Sequence, residues 1–248
     1  MSLRHDGPLT TAIVLAGGLG TRLRSVVSDV PKPMAPILGR PFLEHQLDYW
    51  ISQGITRFIL SVGFRAEIIR KHFGDNYRGA SISYAVEDMP LGTGGAALHA
   101  AHLLDIEREF LLLNGDTFFE MNLQRFLSAH RDNQAAWSIA LFRANESGRY
   151  MGLKLTKDGR VEELNDGSCN AGDLANAGVY IVQPSELEKL RKTAHQRPLS
   201  LEAELLPILL KGGARVFGCL FDGSFIDIGV PADYARASML IKGQNDHY

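Results

Sequence analysis

Between Thr11 and His130, short apolar runs alternate with segments whose apolar residues recur at helical spacing. This rhythm restricts the chain to few architectures. Thr11–Ala16, Arg57–Val62, Ile82–Val86 and Phe110–Leu113 read as strands, the first and last bounded so tightly that they must be buried. Pro41–Gln53, Ala66–Phe73, Gly94–Leu104 and Leu123–His130 read as helices, the first opened by a proline at a position where its missing N–H costs nothing. Strands joined through helices predict a parallel sheet covered on both faces. Beyond about Ala135 the rhythm changes. Strands are expected at Ser138–Phe142, Gly152–Thr156, Val161–Leu164, Gly178–Val182, Arg215–Phe221 and Ser224–Ile228, with helices at Pro184–Arg191, Leu201–Lys211 and Ala232–Ile241. The expected organisation is a loose lead-in over residues 1–10 and one domain over 11–242. Its halves are 11–135 and 136–242, the second folded against the carboxyl ends of the first-half strands.

The 248 residues are enough for a substantial core, and the composition is that of an ordinary globular chain. The net charge of -2 offers no broad basic face to nucleic acid or anionic lipid, so a phosphate-rich ligand must be held by local groups. The cysteines, Cys169 and Cys219, form no CxxC pair, which points to a reducing cytosol rather than a disulfide framework or thiolate zinc site. No apolar stretch approaches the roughly 20 residues that span a bilayer. The expected setting is therefore cytoplasmic, with neither membrane nor nucleic acid as partner, and assembly into a homo-oligomer stays open.

Residues 17–40 contain four glycines and three prolines, too many for regular structure, so a long functional loop is expected there. It opens Leu15-Ala16-Gly17-Gly18-Leu19-Gly20-Thr21-Arg22-Leu23. The glycines let backbone N–H groups approach an anion, and Arg22 adds a planar fork suited to phosphate. Further on, Pro31-Lys32-Pro33 holds an ammonium on a stiff segment, an arrangement suited to charge that develops in phosphoryl transfer. The loop lacks the Gly-Lys-Ser/Thr ending of a P-loop and the third small residue of a dinucleotide fingerprint. Two acids close predicted strands: Asp116 after Phe110–Leu113, and Asp227 within Phe225–Gly229. Ligands gather at the carboxyl ends of strands in open α/β sheets.

Gly-Gly-x-Gly-Thr-Arg-Leu followed by Pro-Lys-Pro resembles the signature of the sugar-phosphate nucleotidyltransferases, and the similarity runs from about Ala12 to Tyr234. The resemblance implies an α/β fold with a Rossmann-like mixed, mostly parallel sheet sandwiched by helices. It implies transfer of a nucleoside monophosphate from an NTP to a sugar 1-phosphate with release of pyrophosphate. Lys32, Arg22 and Asp116 would be catalytic. Leu15, Ala16, Gly17, Gly18, Gly20, Thr21 and Arg22 would hold the nucleotide, and Asp116 with Asp227 would bind Mg2+, a hard cation suited to carboxylates and phosphate oxygens. In Glu87-Asp88-Met89-Pro90-Leu91-Gly92-Thr93, Glu87, Gly92 and Thr93 would face the base. A carboxylate accepts from both N1–H and N2–H of guanine, whereas uracil and thymine offer one donor, so GTP is favoured over UTP or dTTP.

On the sugar side, Tyr150, Gly152 and Asn176 match family positions, with Met151 interposed between the first two. Asp166 takes the place of a family Glu and Gly167 that of a family Lys; Glu163 is the alternative if the register slips. Val27–Pro36 and Leu113–Phe119 are most similar to the branch acting on D-glycero-α-D-manno-heptose 1-phosphate in surface-polysaccharide pathways. Mannose 1-phosphate guanylyltransferases, uridylyl or thymidylyl enzymes, and a regulatory relative that binds nucleotide-sugar without turnover remain alternatives.

Overall fold

The computed structural model describes residues 7–18, 20, 22–23, 26–27, 29–105, 108–165, 169–193 and 197–242. The first half contributes β1 (Thr11–Leu15), the hairpin strands β2 (Pro36–Ile37) and β3 (Arg40–Pro41), α1 (Phe42–Ser52), β4 (Arg57–Val62), α2 (Ala66–Phe73), β5 (Asn76–Tyr77), β6 (Ala80–Val86), α3 (Gly92–Ala100), β7 (Phe110–Asn114), β8 (Thr117–Phe119) and α4 (Leu123–Asp132). The second half adds β9 (Trp137–Arg143), β10 (Gly152–Leu155), β11 (Val161–Asn165), β12 (Leu174–Val182), α5 (Pro184–Thr193), α6 (Leu206–Lys211), β13 (Val216–Leu220), β14 (Phe225–Asp227) and α7 (Pro231–Lys242).

One ten-stranded sheet runs β11-β10-β12-β7-β1-β4-β6-β5, and β9 pairs with both β12 and β13. The strands β7, β1, β4 and β6 are mutually parallel, as strands joined through helices must be. β12 joins β7 antiparallel and carries the second half onto the same sheet. The mixed, mostly parallel sheet is thus confirmed. Its buried strands alternate between two cores. Ala12 and Val14 of β1 pack with Phe42, Leu43 and Trp50 of α1, whereas Ile13 packs with Leu98 of α3, Leu187 of α5 and Leu209 of α6. That period of two is why both faces need helices.

Several boundaries differ from expectation. The stretch 17–40 is not loop throughout: Lys32–Met34 form a 3-10 turn and residues 36–41 a small hairpin. Leu201–Lys211 is not one α-helix but a turn of π-helix over Leu201–Leu205 followed by α6, with Ser200 Oγ capping Ala203 N–H at its start. Gly94–Leu104 starts earlier, at Gly92, and ends in a 3-10 turn over Ala101–Leu103. Of the lead-in, residues 1–6 lie outside the described residues. Leu9 is already buried and the Thr10 carbonyl accepts from Thr56 and Arg57 N–H, so the packed chain begins before β1.

Candidate active site

β1 lies centrally, and its last residue Leu15 is in register with Ser61 of β4 and Asn114 of β7. The chain then leaves the sheet over Gly17 and Gly18. A β-carbon on Gly115 would come 2.5 Å from the Leu15 carbonyl oxygen, so only glycine lets the end of β7 fold across the end of β1. Gly20 takes a left-handed conformation (φ 57°) and lies against Lys32, whose β-carbon would be 3.0 Å from one placed on Gly20. The two ends of the loop therefore meet. They enclose a cavity of about 170 Å³ lined by Leu15, Gly18, Gly20, Arg22, Lys32, Pro33, Gly115, Asp116 and Gly229. Gly17 instead faces Glu87, and the Ala16 side chain is core. Thr21 lies outside the described residues.

Asp116 occupies the turn between β7 and β8. That turn is held from below by Gln46 of α1, whose Nε2 donates to the Asn114 and Thr117 carbonyls, each at 2.8 Å. β14 pairs antiparallel with β8, which brings Asp227 beside the turn. Lys32 Nζ lies 2.5 Å from Asp116 Oδ2 and 3.7 Å from Asp227 Oδ1, and its side chain is only 10% exposed. The structure thus brings together the ammonium and the two acids that sequence reasoning had placed 84 and more residues apart. Asp227 Oδ1 also accepts Gly229 N–H at 2.6 Å. Burial, and then the charge of Asp116, push the Asp227 carboxyl above its ordinary value, while Lys32 opposes the rise. Two acids that repel in a half-buried place form a setting that accepts positive charge.

Glu87 follows β6 at the same end of the sheet. Its Oε1 accepts from Ser61 Oγ and its Oε2 from Leu91 N–H, both at 3.1 Å. A β-carbon on Gly17 would lie 2.2 Å from Oε1, so the glycine loop and the carboxylate are pressed together. The carboxylate is fixed by one bond per oxygen, which leaves accepting capacity on each. Gly92 (φ 72°) and Thr93 are placed differently from the cavity residues. A β-carbon on Gly92 would meet the Leu199 carbonyl at 2.4 Å, and Thr93 Oγ1 accepts from Leu201 N–H at 2.8 Å while donating to Glu202 at 3.0 Å. Both residues tie α3 to the segment before α6.

The second-half residues form an adjacent polar row. A bulge in β12 between Asn176 and Tyr180 lets Asn176 Nδ2 donate to the Tyr180 hydroxyl at 2.7 Å, and Tyr180 reaches Glu202 Oε1 at 3.3 Å. Burial, and then the charge of Glu202, keep the Tyr180 phenol far above its ordinary range, so it stays a donor. Tyr150 packs its ring edge-on against Phe142 and Phe225, and Gly152 abuts Cys169. Asp166 and Gly167 lie outside the described residues. Glu163 pairs with Lys154 at 2.6 Å on the surface. Sequence reasoning missed Gln46 and Glu202. Gln46 lies within an apolar helical face and Glu202 beside apolar leucines in a first helical turn, where an acid reads as solvated. Only the tertiary fold distinguishes them. Among the described residues no three His, Cys, Asp or Glu side chains cluster as a complete metal site, and no helix is long and apolar enough to cross a membrane.

This geometry has relatives. The family model for nucleotidyl transferases matches residues 11–244. The chain is 40% identical over 228 residues to a D-glycero-α-D-manno-heptose 1-phosphate guanylyltransferase of Aneurinibacillus thermoaerophilus, covering 91% of this chain and 96% of that one. It is 39% identical over 223 residues to the protein of the same description from Campylobacter jejuni, covering 90% and 96%. The HddC protein of Yersinia pseudotuberculosis, whose structure is also known in complex with GMP-PN, superposes with a TM-score of 0.81 at 33% identity, covering 93% of this chain and 99% of that one. A glycine loop, a proline-flanked lysine and two strand-end acids converging on one cavity, in a chain matched along nearly its whole length, make this protein a member of the nucleotidyl transferase family.

Proposed function

We propose that the chain is a D-glycero-α-D-manno-heptose 1-phosphate guanylyltransferase, which joins GMP from GTP to the sugar 1-phosphate and releases pyrophosphate. The observation that carries the transfer chemistry is the contact of one ammonium, Lys32 Nζ, with both Asp116 and Asp227 at the glycine-loop cavity. The sugar rests on the likeness to the two heptose 1-phosphate enzymes. The base rests on the same relatives and on Glu87, whose anchored carboxylate suits two adjacent donors of guanine. The product would be an activated donor for surface-polysaccharide assembly in the cytoplasm.

In this reading a phosphate oxygen of the sugar 1-phosphate attacks the α-phosphorus of GTP in line. The bond from that phosphorus to the bridging oxygen breaks, and its electron pair leaves with pyrophosphate. A phosphate monoester is already ionised near neutral pH, so alignment and charge neutralisation suffice without a general base. Gly18 and Gly20 line the phosphate cavity with backbone, Arg22 contributes a cation at its wall, and Lys32 balances charge on the α-phosphate and the departing group. The Asp116–Asp227 pair fits a magnesium ion: two hard oxygen donors, mutually repelling and short of a complete shell, match an ion that fills its coordination with phosphate oxygens and water. Bound there, Mg2+ would neutralise phosphate charge and orient the reacting groups. Asn176 and Glu202, linked through the buried Tyr180 hydroxyl, offer donors and acceptors for sugar hydroxyls beside that centre.

The test is pyrophosphate release screened over four NTPs and a panel of hexose and heptose 1-phosphates. GTP with the heptose 1-phosphate is expected to give the highest kcat/KM. Comparable turnover of all four nucleotides would contradict the base assignment, and a preference for mannose 1-phosphate would contradict the sugar.

A further inference from the structure

Asp233 lies in the first turn of α7 and is 1% exposed. It lines no part of the cavity, yet its carboxylate is among the most deeply buried charges in the described protein. Both Arg149 and Arg236 pair with it. Burying a carboxylate this far is costly unless it is paired, and a pair that served only to pin α7 could be exchanged for apolar packing. Arg149 does more than pair. Its Nη2, the nitrogen that meets Asp233, also donates to the backbone carbonyl of Asp227 at 3.4 Å and lies 3.8 Å from Asp227 Oδ2. The guanidinium is 5.0 Å from the centre of the Tyr150 ring, and Tyr150 is itself packed among Phe142 and Phe225, so the plane of the arginine is set by the core. The other oxygen of Asp227 is held by Gly229 N–H.

We propose that Asp233 is a positioning residue for Asp227: acting through the Arg149 fork, it orients the Asp227 carboxylate and so sets the affinity of the site for a divalent cation. Oδ1 accepts a backbone N–H, and Oδ2 faces, at 3.8 Å, a guanidinium that bonds the Asp227 carbonyl and that Asp233 and Tyr150 hold in place. Outer partners of this kind are commonly worth 10–100-fold in metal affinity. Neither Asp233 nor Arg149 touches substrate in this account. The inference rests on reading Asp227 as a metal ligand.

Mn2+ serves as the probe, titrated into the full-length protein with GTP present and followed by the electron paramagnetic resonance of the free ion. Thermal melts are run on every variant. Asp233→Asn is expected to weaken Mn2+ binding roughly 10–100-fold, with the affinity for GTP in EDTA unchanged. Arg149→Lys, which keeps the charge but loses the fork, is expected to fall between Asp233→Asn and wild type. Because Asp233→Asn alone strands the buried Arg149 cation, Arg149→Gln/Asp233→Asn is the decisive variant: it removes both charges and is expected to melt near wild type while still binding Mn2+ at least tenfold more weakly. A double variant that melts like wild type and binds Mn2+ within threefold of it overturns the proposal. Asp227→Asn separates the two claims. If it too binds Mn2+ normally, the metal reading of the site fails and takes this inference with it; if it alone is impaired, only the positioning role falls.

Discussion

Lys32 Nζ lies 2.5 Å from Asp116 Oδ2, although the two side chains come from distant parts of the chain, one from the proline-flanked turn after the glycine loop and one from the turn after β7. The same ammonium is 3.7 Å from Asp227 Oδ1. A lysine so placed has two consequences. It neutralises the acids when the site is without ligand, and it stands ready to face phosphate once another cation takes that task.

Lys32→Met should therefore lower kcat by roughly 10²–10³-fold, the scale for losing one preorganised donor to developing charge. It should also leave the two acids without their shared cation. The variant is expected to melt below wild type in EDTA and to recover much of that loss with millimolar Mg2+. Steady-state kinetics and melts with and without the metal check both parts. No recovery with Mg2+ would count against a cation site between the acids.

Asp227 gives a prediction of opposite sign for stability. Folding raises its carboxyl above the ordinary value, through burial and then the charge of Asp116. An acid raised in this way favours the protonated native state. Its contribution is fully present below the unfolded value and is lost as pH rises through the folded one. At neutral pH the ionised group thus costs stability, and Asp227→Asn should melt higher than wild type while losing turnover by orders of magnitude. The two melting curves should converge as pH falls below the carboxylate range. An asparagine variant less stable than wild type at pH 7 would show that the ionised acid stabilises the fold.

Glu87→Gln should narrow the preference for GTP over UTP. Losing a charged acceptor for two base donors is worth about 1.5–3 kcal/mol, or roughly 10–100-fold in the ratio of kcat/KM. Gly17→Ala tests the same contact from the other side, because its β-carbon would displace Glu87 Oε1. It should raise the KM for GTP more than that for UTP. Equal effects on both nucleotides would mean that Glu87 does not read the base.

His130 predicts the acid limb of stability. It is 1% exposed, with ring nitrogens 2.8 Å from Ser138 Oγ and 3.2 Å from Gln183 Nε2, and burial lowers its value from 6.5 to about 4. Below 6.5 the unfolded chain takes up a proton that the folded one refuses, so stability present at neutral pH drains away down to about 4. The loss should be on the order of 3 kcal/mol. Chemical denaturation across that range checks it, and His130→Gln should flatten the slope.

The strands and helices were legible where one physical signal dominated. Ile13 and Val14 sit in an apolar run too short for a helix, and α2 is visible because Ile69 and Phe73 recur one turn apart. Gly178 misled: a glycine with positive φ reads as a strand boundary, yet here it belongs to a bulge inside β12, which begins at Leu174. β8 is three residues long and exists only because β14, more than 100 residues later, pairs with it. For the site, Lys32, Asp116 and Asp227 could be named because proline flanks and strand ends leave local marks. Gln46 and Glu202 leave none, since their partners are carbonyls and hydroxyls supplied by distant parts of the chain.

The central claim is that GMP is transferred at the Lys32, Asp116 and Asp227 cluster, and phosphorus-31 resonance tests it most directly. GTP, Mg2+ and D-glycero-α-D-manno-heptose 1-phosphate are incubated with the wild-type protein and with Asp116→Asn. The account predicts pyrophosphate and a GDP-sugar in equal amounts with wild type, and neither at a comparable rate with the variant, which should still melt as a folded protein. Release of inorganic phosphate or GDP without a GDP-sugar, or undiminished turnover by Asp116→Asn, would contradict it.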